Sequence, residues 1–320
     1  MLAELMAYPL SVVCRVLGVT QSGFHAWRGR APSRRAQERE CLRASIRKVF
    51  DDQGGRYGAP RIYRVLCGQF DYSGSLNRIQ KLMQAMGLRA KAGRKFKVTT
   101  DSAHALPIAP NLLGQDFSCD TRVGSTSHAQ GPDQVWLSDM TYLWTREGWL
   151  YVCAVLDLFT RKIVGWAMAG HMTRELVLNA LRMAHQVRQP PPGLIFHSDR
   201  GSQYASHEVR EWLVDQTMRQ SMSGTGNCYD NAPMESYWHS LKVEETHGQD
   251  FATRAAAMHS VFAYIEGWYN TTRMHSSLGY KSPTQFERDH HAALLKAAND
   301  EQTVIQGNNS QSARLQKRAA

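Results

Sequence analysis

The chain has 320 residues, 42% of them hydrophobic, enough for one or two domains with at least one sizeable core. Six widely spaced cysteines without a C-x-x-C pair exclude a readable zinc knuckle or disulfide framework. Nothing resembles a signal peptide, and the most apolar stretch, Gly148 to Leu158, is too short to span a bilayer and contains Asp157, so a cytoplasmic protein with no membrane partner is expected.

The net charge of +10 is uneven: residues 1–100 hold 19 Lys+Arg against 6 Asp+Glu, and the other 220 sum to −3. That balance assigns nucleic-acid affinity to the N-terminal third, against the plainer reading of a solvated surface. Within it, Pro9 can open a helix with an apolar stripe of Val12, Val13, Val16 and Leu17, and Gly18 breaks it. Thr20 suits the N-cap of a second helix, to about Arg28, with Phe24 and Trp27. The layout over residues 1–36 is that of a helix-turn-helix, or of a plain helical hairpin. Residues 37–100 form a second helical unit: a helix from Arg39 to about Phe50, one opened by Pro60, and one capped by Ser75 and ended by Gly87. Arg56 and Arg61 belong to this unit, and the basic run Lys91, Arg94, Lys95, Lys97 that follows suits tracking of a phosphate backbone.

Residues 101–132, rich in Ser, Thr, Gly, Pro and Asn, read as a linker. The main domain, 133–292, alternates strand-like and helix-like segments: Val135 to Leu143, Trp149 to Leu156 and Lys162 to Ala169 as strands, Arg174 to Val187 as a helix, Leu194 to Phe196 as a strand, and a helix capped by Ser206. This order indicates a mixed sheet with flanking helices. A further helix is expected from about Thr253 to Trp268, and 293–320 read as a disordered polar tail.

Asp139 and Asp199 each end an apolar run, and Glu235 opens a helix with Asn231 as its N-cap and Pro233 in its first turn. Thirty-five residues separate Asp199 from Glu235. Magnesium takes oxygen ligands, typically one or two carboxylates plus substrate phosphate, and a pair of such ions can activate an attacking oxygen and stabilise the leaving one. Three carboxylates so placed point to two divalent ions over a phosphodiester, with Asp139 bridging them. Glu235, His239 and Lys242 share a helix face, and Lys242 can neutralise a phosphate beside the ions. His239 reads first as a structural or solvent-facing histidine, with DNA contact or proton transfer as the alternative. His197, two residues before Asp199, is expected to support it or the substrate. Arg200 is a further DNA-contact candidate, as are the polar residues Asn270, Arg273 and His275.

These motifs resemble insertion-sequence transposases of the retroviral-integrase (DDE) superfamily, in the OrfB-like branch of the third insertion-sequence family. The resemblance is carried by Trp136–Tyr142, His197–Tyr204, Ser223–Ala232, Tyr269–Tyr280 and Ser282-Pro283, with Tyr8–Val19 and Gly55–Ile62 at the N-terminal end. It implies an RNase H-like α/β catalytic core with a mixed five-stranded sheet, preceded by helix-turn-helix-type units, and dependence on Mg²⁺ or Mn²⁺, two ions per site. It implies a catalytic and metal-binding triad of Asp139, Asp199 and Glu235, with Lys242 as the downstream basic residue. The expected partners are element terminal repeats and target DNA, further copies of the chain on that DNA, and an OrfA protein as fusion or partner. The rival expectations are a nuclease of the same superfamily without strand transfer, and a DNA-binding regulator with an inactive core.

Overall fold

The computed structural model describes residues 8–91, 106–119, 128–224 and 228–318, with the backbone alone described at Cys228 and over 301–318. Arg94, Lys95 and Lys97 lie outside the described residues. The chain divides into two compact units, Met1–Ala90 and Lys91–Ala320.

The first unit is helical. Helix α1 (Leu10–Leu17) ends at Gly18, whose φ of 64° is the left-handed conformation that favours glycine. Helix α2 (Gln21–Arg28) is capped by Thr20, whose side chain accepts from the Gly23 amide at 3.0 Å. The expected apolar stripe is not a core face: Val13, Cys14 and Phe24 are buried, while Val12, Val16, Leu17 and Trp27 are exposed. Three further helices follow, α3 (Arg34–Asp52), α4 (Ala59–Gln69) and α5 (Leu76–Ala85). They close on a core of Ile46, Val49, Tyr57, Ile62, Leu66, Ile79 and Met83. Their starts follow from local chemistry: Ser33 and Ser75 accept from amides three residues on, and Pro60 occupies the first turn of α4.

The second unit is built on a five-stranded sheet in the order β3-β2-β1-β4-β5. Strands β1 (Val135–Thr145), β2 (Gly148–Asp157) and β3 (Ile163–Ala169) form an antiparallel meander. Strand β4 (Ile195–Ser198) joins β1 in parallel after helix α6 (Arg174–Arg188), and β5 (Arg219–Met222) joins β4 in parallel after helix α7 (His207–Asp215). The tight turn between β1 and β2 passes through Gly148 at φ 104°. Helices α6 and α7 bury one sheet face over Trp136, Val155, Val164, Leu181, Phe196, Tyr204 and Leu213. Gly165 permits the approach of α6: a Cβ there would stand 2.3 Å from the Ala180 carbonyl oxygen.

The other face is covered by α8 (Ala232–Leu241) and α9 (Arg254–Phe262), each continued by a π-helical segment, Lys242–Thr246 and Ala263–Tyr269. The helix expected from Thr253 to Trp268 thus changes hydrogen-bond pattern midway. Glu244, in the first π segment, accepts from Tyr264 and Trp268 and forms a buried ion pair with Arg273 at 2.9 Å. Helix α10 (Pro283–Arg318) starts on the core, where Glu287 pairs with Lys162 and Arg188, and its backbone runs on through the stretch read as a disordered tail. Ala292, Ala293, Leu294, Leu295, Lys296, Ala297 and Ala298 are good helix formers, which accounts for its continuation.

The described parts of the linker stretch pack on the sheet. Leu113 and Ala129 are buried, and the Leu112 amide donates to Ser221 on β5 at 2.9 Å. The cysteines with described side chains, Cys14, Cys41, Cys67, Cys119 and Cys153, are free thiols, and no helix among the described residues is long and apolar enough to cross a membrane.

Candidate active site

The parallel pairing of β1 with β4 runs from Val135↔Ile195 to Ser138↔Ser198 and stops there. Asp139 and Asp199 are therefore the next residues of two neighbouring parallel strands. β1 itself continues to Thr145, so Asp139 is not at a strand end; it is at the end of the stretch that β4 covers. Both aspartates are half-buried.

Helix α8 is tied to this point twice. The Asn231 side-chain amide donates to the Ser138 carbonyl at 3.1 Å, and Trp238 Nε1 donates to Asp139 Oδ2 at 3.1 Å. Asn231 occupies the expected N-cap position, but its side chain makes no capping bond and crosses to β1 instead. Asp139 Oδ1 accepts from the Met140 amide at 2.8 Å, and Asp199 Oδ1 from the Gly201 amide at 3.0 Å.

Burial pushes the Asp139 carboxyl well above its ordinary range, and the charge of Asp199 raises it further; Glu235 adds a smaller push. Glu235 is raised by burial too, although its side chain is largely exposed on α8. The structure therefore brings the two aspartates together and sets Glu235 at electrostatic range, on the helix that Trp238 docks. Among the described residues no group of three or more His, Cys, Asp and Glu is gathered tightly enough to hold a metal ion. The pair fits a divalent cation in another respect: two adjacent carboxylates offer hard oxygen donors, and their mutual repulsion is what a cation relieves.

Lys242 Nζ lies 5.5 Å from the ring centroid of Tyr142. Burial lowers its pKa and the Asp139 carboxylate partly restores it, so its charge faces the site. His239 is exposed on α8.

His197 is fully buried: Nε2 donates to the Asp230 carbonyl at 2.9 Å, and Nδ1 lies 2.8 Å from Ser221 Oγ. Burial pushes its imidazole down to about 4, so it is neutral near pH 7. Asp230, in turn, accepts from Asn111 at 3.0 Å, Gln115 at 2.7 Å and the Gly224 amide at 2.6 Å. His197 thus fastens the turn Cys228–Asn231 that launches α8. Residues 225–227, just before that turn, lie outside the described residues.

The DNA-contact candidates fare differently. Arg200 is half-buried and donates to the Ser223 carbonyl. Lys91 donates to the Glu244 carbonyl at 2.8 Å. In the first unit, Arg61 lies over the Tyr57 ring at 5.4 Å, and Arg56 is half-buried. Asn270 and Arg273 are corrected to structural roles. Both are buried: Asn270 pairs with both backbone groups of Ile163, and Arg273 with Glu244. The sequence reading missed Asn231, Trp238 and Asp230 as site builders, because their partners are 93, 99 and more than 100 residues away in the chain.

Family models described as "Integrase core domain" match residues 129–228 and 235–290, and an "HTH-like domain" model matches 36–96, over the second helical group rather than α1 and α2. The chain is 43% identical over 282 residues to the transposase InsF for insertion sequence IS3A of Escherichia coli (strain K12), covering 88% of this chain and 94% of that one. It is 42% identical over 279 residues to an uncharacterized 31 kDa protein of insertion element IS600 from Shigella sonnei, covering 87% of this chain and 98% of that one. Among solved structures it is similar to a simian T-cell lymphotropic virus intasome in complex with PP2A regulatory subunit B56 gamma, with TM-score 0.40, 12% identity and coverage of 76% and 74%. It is also similar to the HTLV-2 integrase catalytic core domain in complex with magnesium, with TM-score 0.35, 15% identity and coverage of 49% and 95%. An integrase-type core behind an HTH-like domain, matched over 88% of the chain by a relative at this identity, makes the chain a member of the IS3 family of insertion-sequence transposases, DNA-cleaving and DNA-joining enzymes of the DDE type.

Proposed function

We propose that Asp139, Asp199 and Glu235 are the catalytic carboxylates of this transposase and that they would hold two Mg²⁺ or Mn²⁺ ions. The observation that carries the assignment is the position of Asp139 and Asp199 as the next residues after Ser138↔Ser198, the last pair of the β1–β4 ladder, beside the helix that presents Glu235. When bound, such ions activate the attacking oxygen and stabilise the leaving one.

In cleavage a water oxygen bonds to phosphorus and the strand's 3′ oxygen leaves; in joining that 3′ hydroxyl attacks a target phosphate and displaces its 3′ oxygen. Trp238 and the Met140 amide fix the Asp139 carboxylate, the Gly201 amide fixes Asp199, and Lys242 holds a phosphate close by. Arg56, Arg61, Lys91, Arg94, Lys95, Lys97 and Arg200 are proposed as further backbone contacts. The reaction is placed in the cytoplasm, on element terminal repeats and target DNA, and is carried out by an oligomer of the chain, with an OrfA protein as fusion or partner.

The test is incubation of the purified chain with DNA of the element's ends and Mg²⁺, with products resolved on a denaturing gel. Asp139→Asn, Asp199→Asn and Glu235→Gln should each abolish nicking and joining while leaving the fold intact. Near-normal activity of any one would remove that residue from the set.

A further inference from the structure

Helix α5 of the first unit has two unlike faces. Ile79 and Met83 are buried, and Leu82 and Met86 are partly so. On the opposite side Asn77, Lys81 and Gln84, at i, i+4 and i+7, are exposed in one row, with the exposed Arg78 and Gln80 beside it. All five carry hydrogen-bonding groups at the end of the side chain, and the helix contains no Asp or Glu.

The helix is presented by a fixed turn. Ile62 and Leu66 of α4 are buried in the same core as Ile79. In the connection from α4, the Tyr72 amide donates to the Leu66 carbonyl at 3.2 Å, and the Tyr72 ring meets Tyr63 of α4 edge-on at 6.1 Å and 88°. The Tyr72 hydroxyl donates to the Ser75 carbonyl at 3.2 Å, and Ser75 caps α5 through the Arg78 amide. The other exposed surfaces of the unit differ in kind. On α3, Arg34 and Arg43 are engaged by Glu38 and Glu40 of the same helix. Helices α1 and α2 present Val16, Leu17 and Trp27, which are apolar.

The row on α5 suits the floor of a DNA groove. The major groove is about 12 Å wide and admits one α-helix. Asn and Gln amides match the donor and acceptor of an adenine edge, and Arg and Lys match the two acceptors of a guanine edge. A carboxylate in the row would be repelled by the phosphates on either side, and α5 has none. In a helix-turn-helix the second helix enters the groove while the first crosses the backbone. Helix α4 carries Arg61 and Arg64, a charge suited to that crossing.

We propose that α5 is the helix by which this chain reads DNA sequence, with Asn77, Lys81 and Gln84 on base edges in the major groove and Arg78 beside them. It rests on the reading of the element's terminal repeats as the DNA partner.

The experiment is selection of duplexes from a random-sequence library by the full chain in EDTA, repeated with Asn77→Ala, Lys81→Ala and Gln84→Ala. Alanine is the better helix former and the three side chains are exposed, so thermal melts should match wild type. Wild type should enrich one sequence. Each alanine variant should lose the preference at one or two neighbouring base pairs and bind the enriched duplex about tenfold more weakly, with little change on random duplex. Lys81→Gln should move the preferred base at its position from guanine to adenine. An enriched sequence unchanged in all three alanine variants would overturn the proposal. So would equal loss of affinity on enriched and random duplex, which would make the row a phosphate contact, and so would the absence of any sequence enriched by wild type. A sequence that shifts with the variants but does not occur in the element's ends keeps α5 as the reading helix and sinks the reading of those ends as its partner.

Discussion

Asp139 and Asp199 stand side by side because each is the first residue beyond Ser138 and Ser198, the last pair in the parallel ladder of β1 and β4. The sheet's hydrogen bonding thus forces together two charges that repel each other. Burial and Asp199 together raise the Asp139 carboxyl. A site so arranged gains stability when a cation arrives and loses repulsion when one charge is removed.

Asp139→Asn should accordingly raise the melting temperature in metal-free buffer by about 2–4 °C, the equivalent of about 1 kcal/mol in a domain of this size. Wild type should gain further stability as Mg²⁺ is added, following the linkage of binding to folding, and the variant should gain much less. Thermal melts with EDTA and with a Mg²⁺ series read both effects. A variant that melts lower than wild type in EDTA and gains as much from Mg²⁺ would contradict the account.

Lys242→Ala should weaken binding of end and non-end DNA alike, because a phosphate contact positions the strand and reads no base. The slope of log affinity against log salt should fall by about one, and joining should slow. Mg²⁺ stabilisation should persist, since lysine supplies no ligand oxygen. An unchanged salt slope with an unchanged joining rate would make Lys242 a packing residue on Tyr142.

The buried Glu244–Arg273 pair fixes the π segment after α8 against the end of α9. Glu244→Gln leaves the guanidinium without its counter-charge and should cost about 3–5 kcal/mol. Burial pushes the Glu244 carboxyl up, but Arg273 with the Trp268 and Tyr264 donors outweighs it, so its folded pKa lies below 4.5. The contribution is therefore fully present above about pH 4.5 and is lost as pH falls through the folded value. Denaturant melts from pH 7 to pH 3 should show wild type losing stability in that window and Glu244→Gln losing less of it.

His197 gives a second, higher window. Burial takes its imidazole from 6.5 to about 4, so between those values the unfolded chain binds the proton and the folded chain does not. Stability should fall as pH drops from about 6.5 to about 4, by up to about 3 kcal/mol. His197→Gln should be less stable at pH 7, having lost the Asp230 and Ser221 contacts, and should show a flatter profile across that range. A wild-type profile that is level between pH 7 and pH 5 would mean that the imidazole is not held neutral by the fold.

Much of the architecture was legible because it rests on local chemistry. Apolar, strand-like runs mark β1, β2 and β3. Thr20, Ser75 and Ser206 cap helices, and Gly18 ends one in a left-handed turn. The reading failed where a residue's partner is distant. Asn231 stands at the N-cap, yet its side chain reaches Ser138; Arg273 looks like a DNA contact and is a buried counter-ion; His197 looks like a neighbour of Asp199 and instead faces Ser221 and Asp230. Asn111 and Gln115 lie in a segment with no periodicity, yet they hold the Asp230 carboxylate.

The sequence by itself determined which residue types stand at which points of the chain: the two aspartates after apolar strands, the glutamate and lysine on one later helix, the family and the chemistry they imply. Only the tertiary structure decided which of them meet. Strand register, set by cooperative pairing of β1 with β4, placed Asp139 beside Asp199. Side-chain bonds across some 90 to 100 residues docked α8 on Asp139 while its Glu235 side chain stayed in solvent. Spacing along a chain fixes what a helix or strand face presents, whereas distance between two such faces is fixed by packing between elements, which no local pattern encodes.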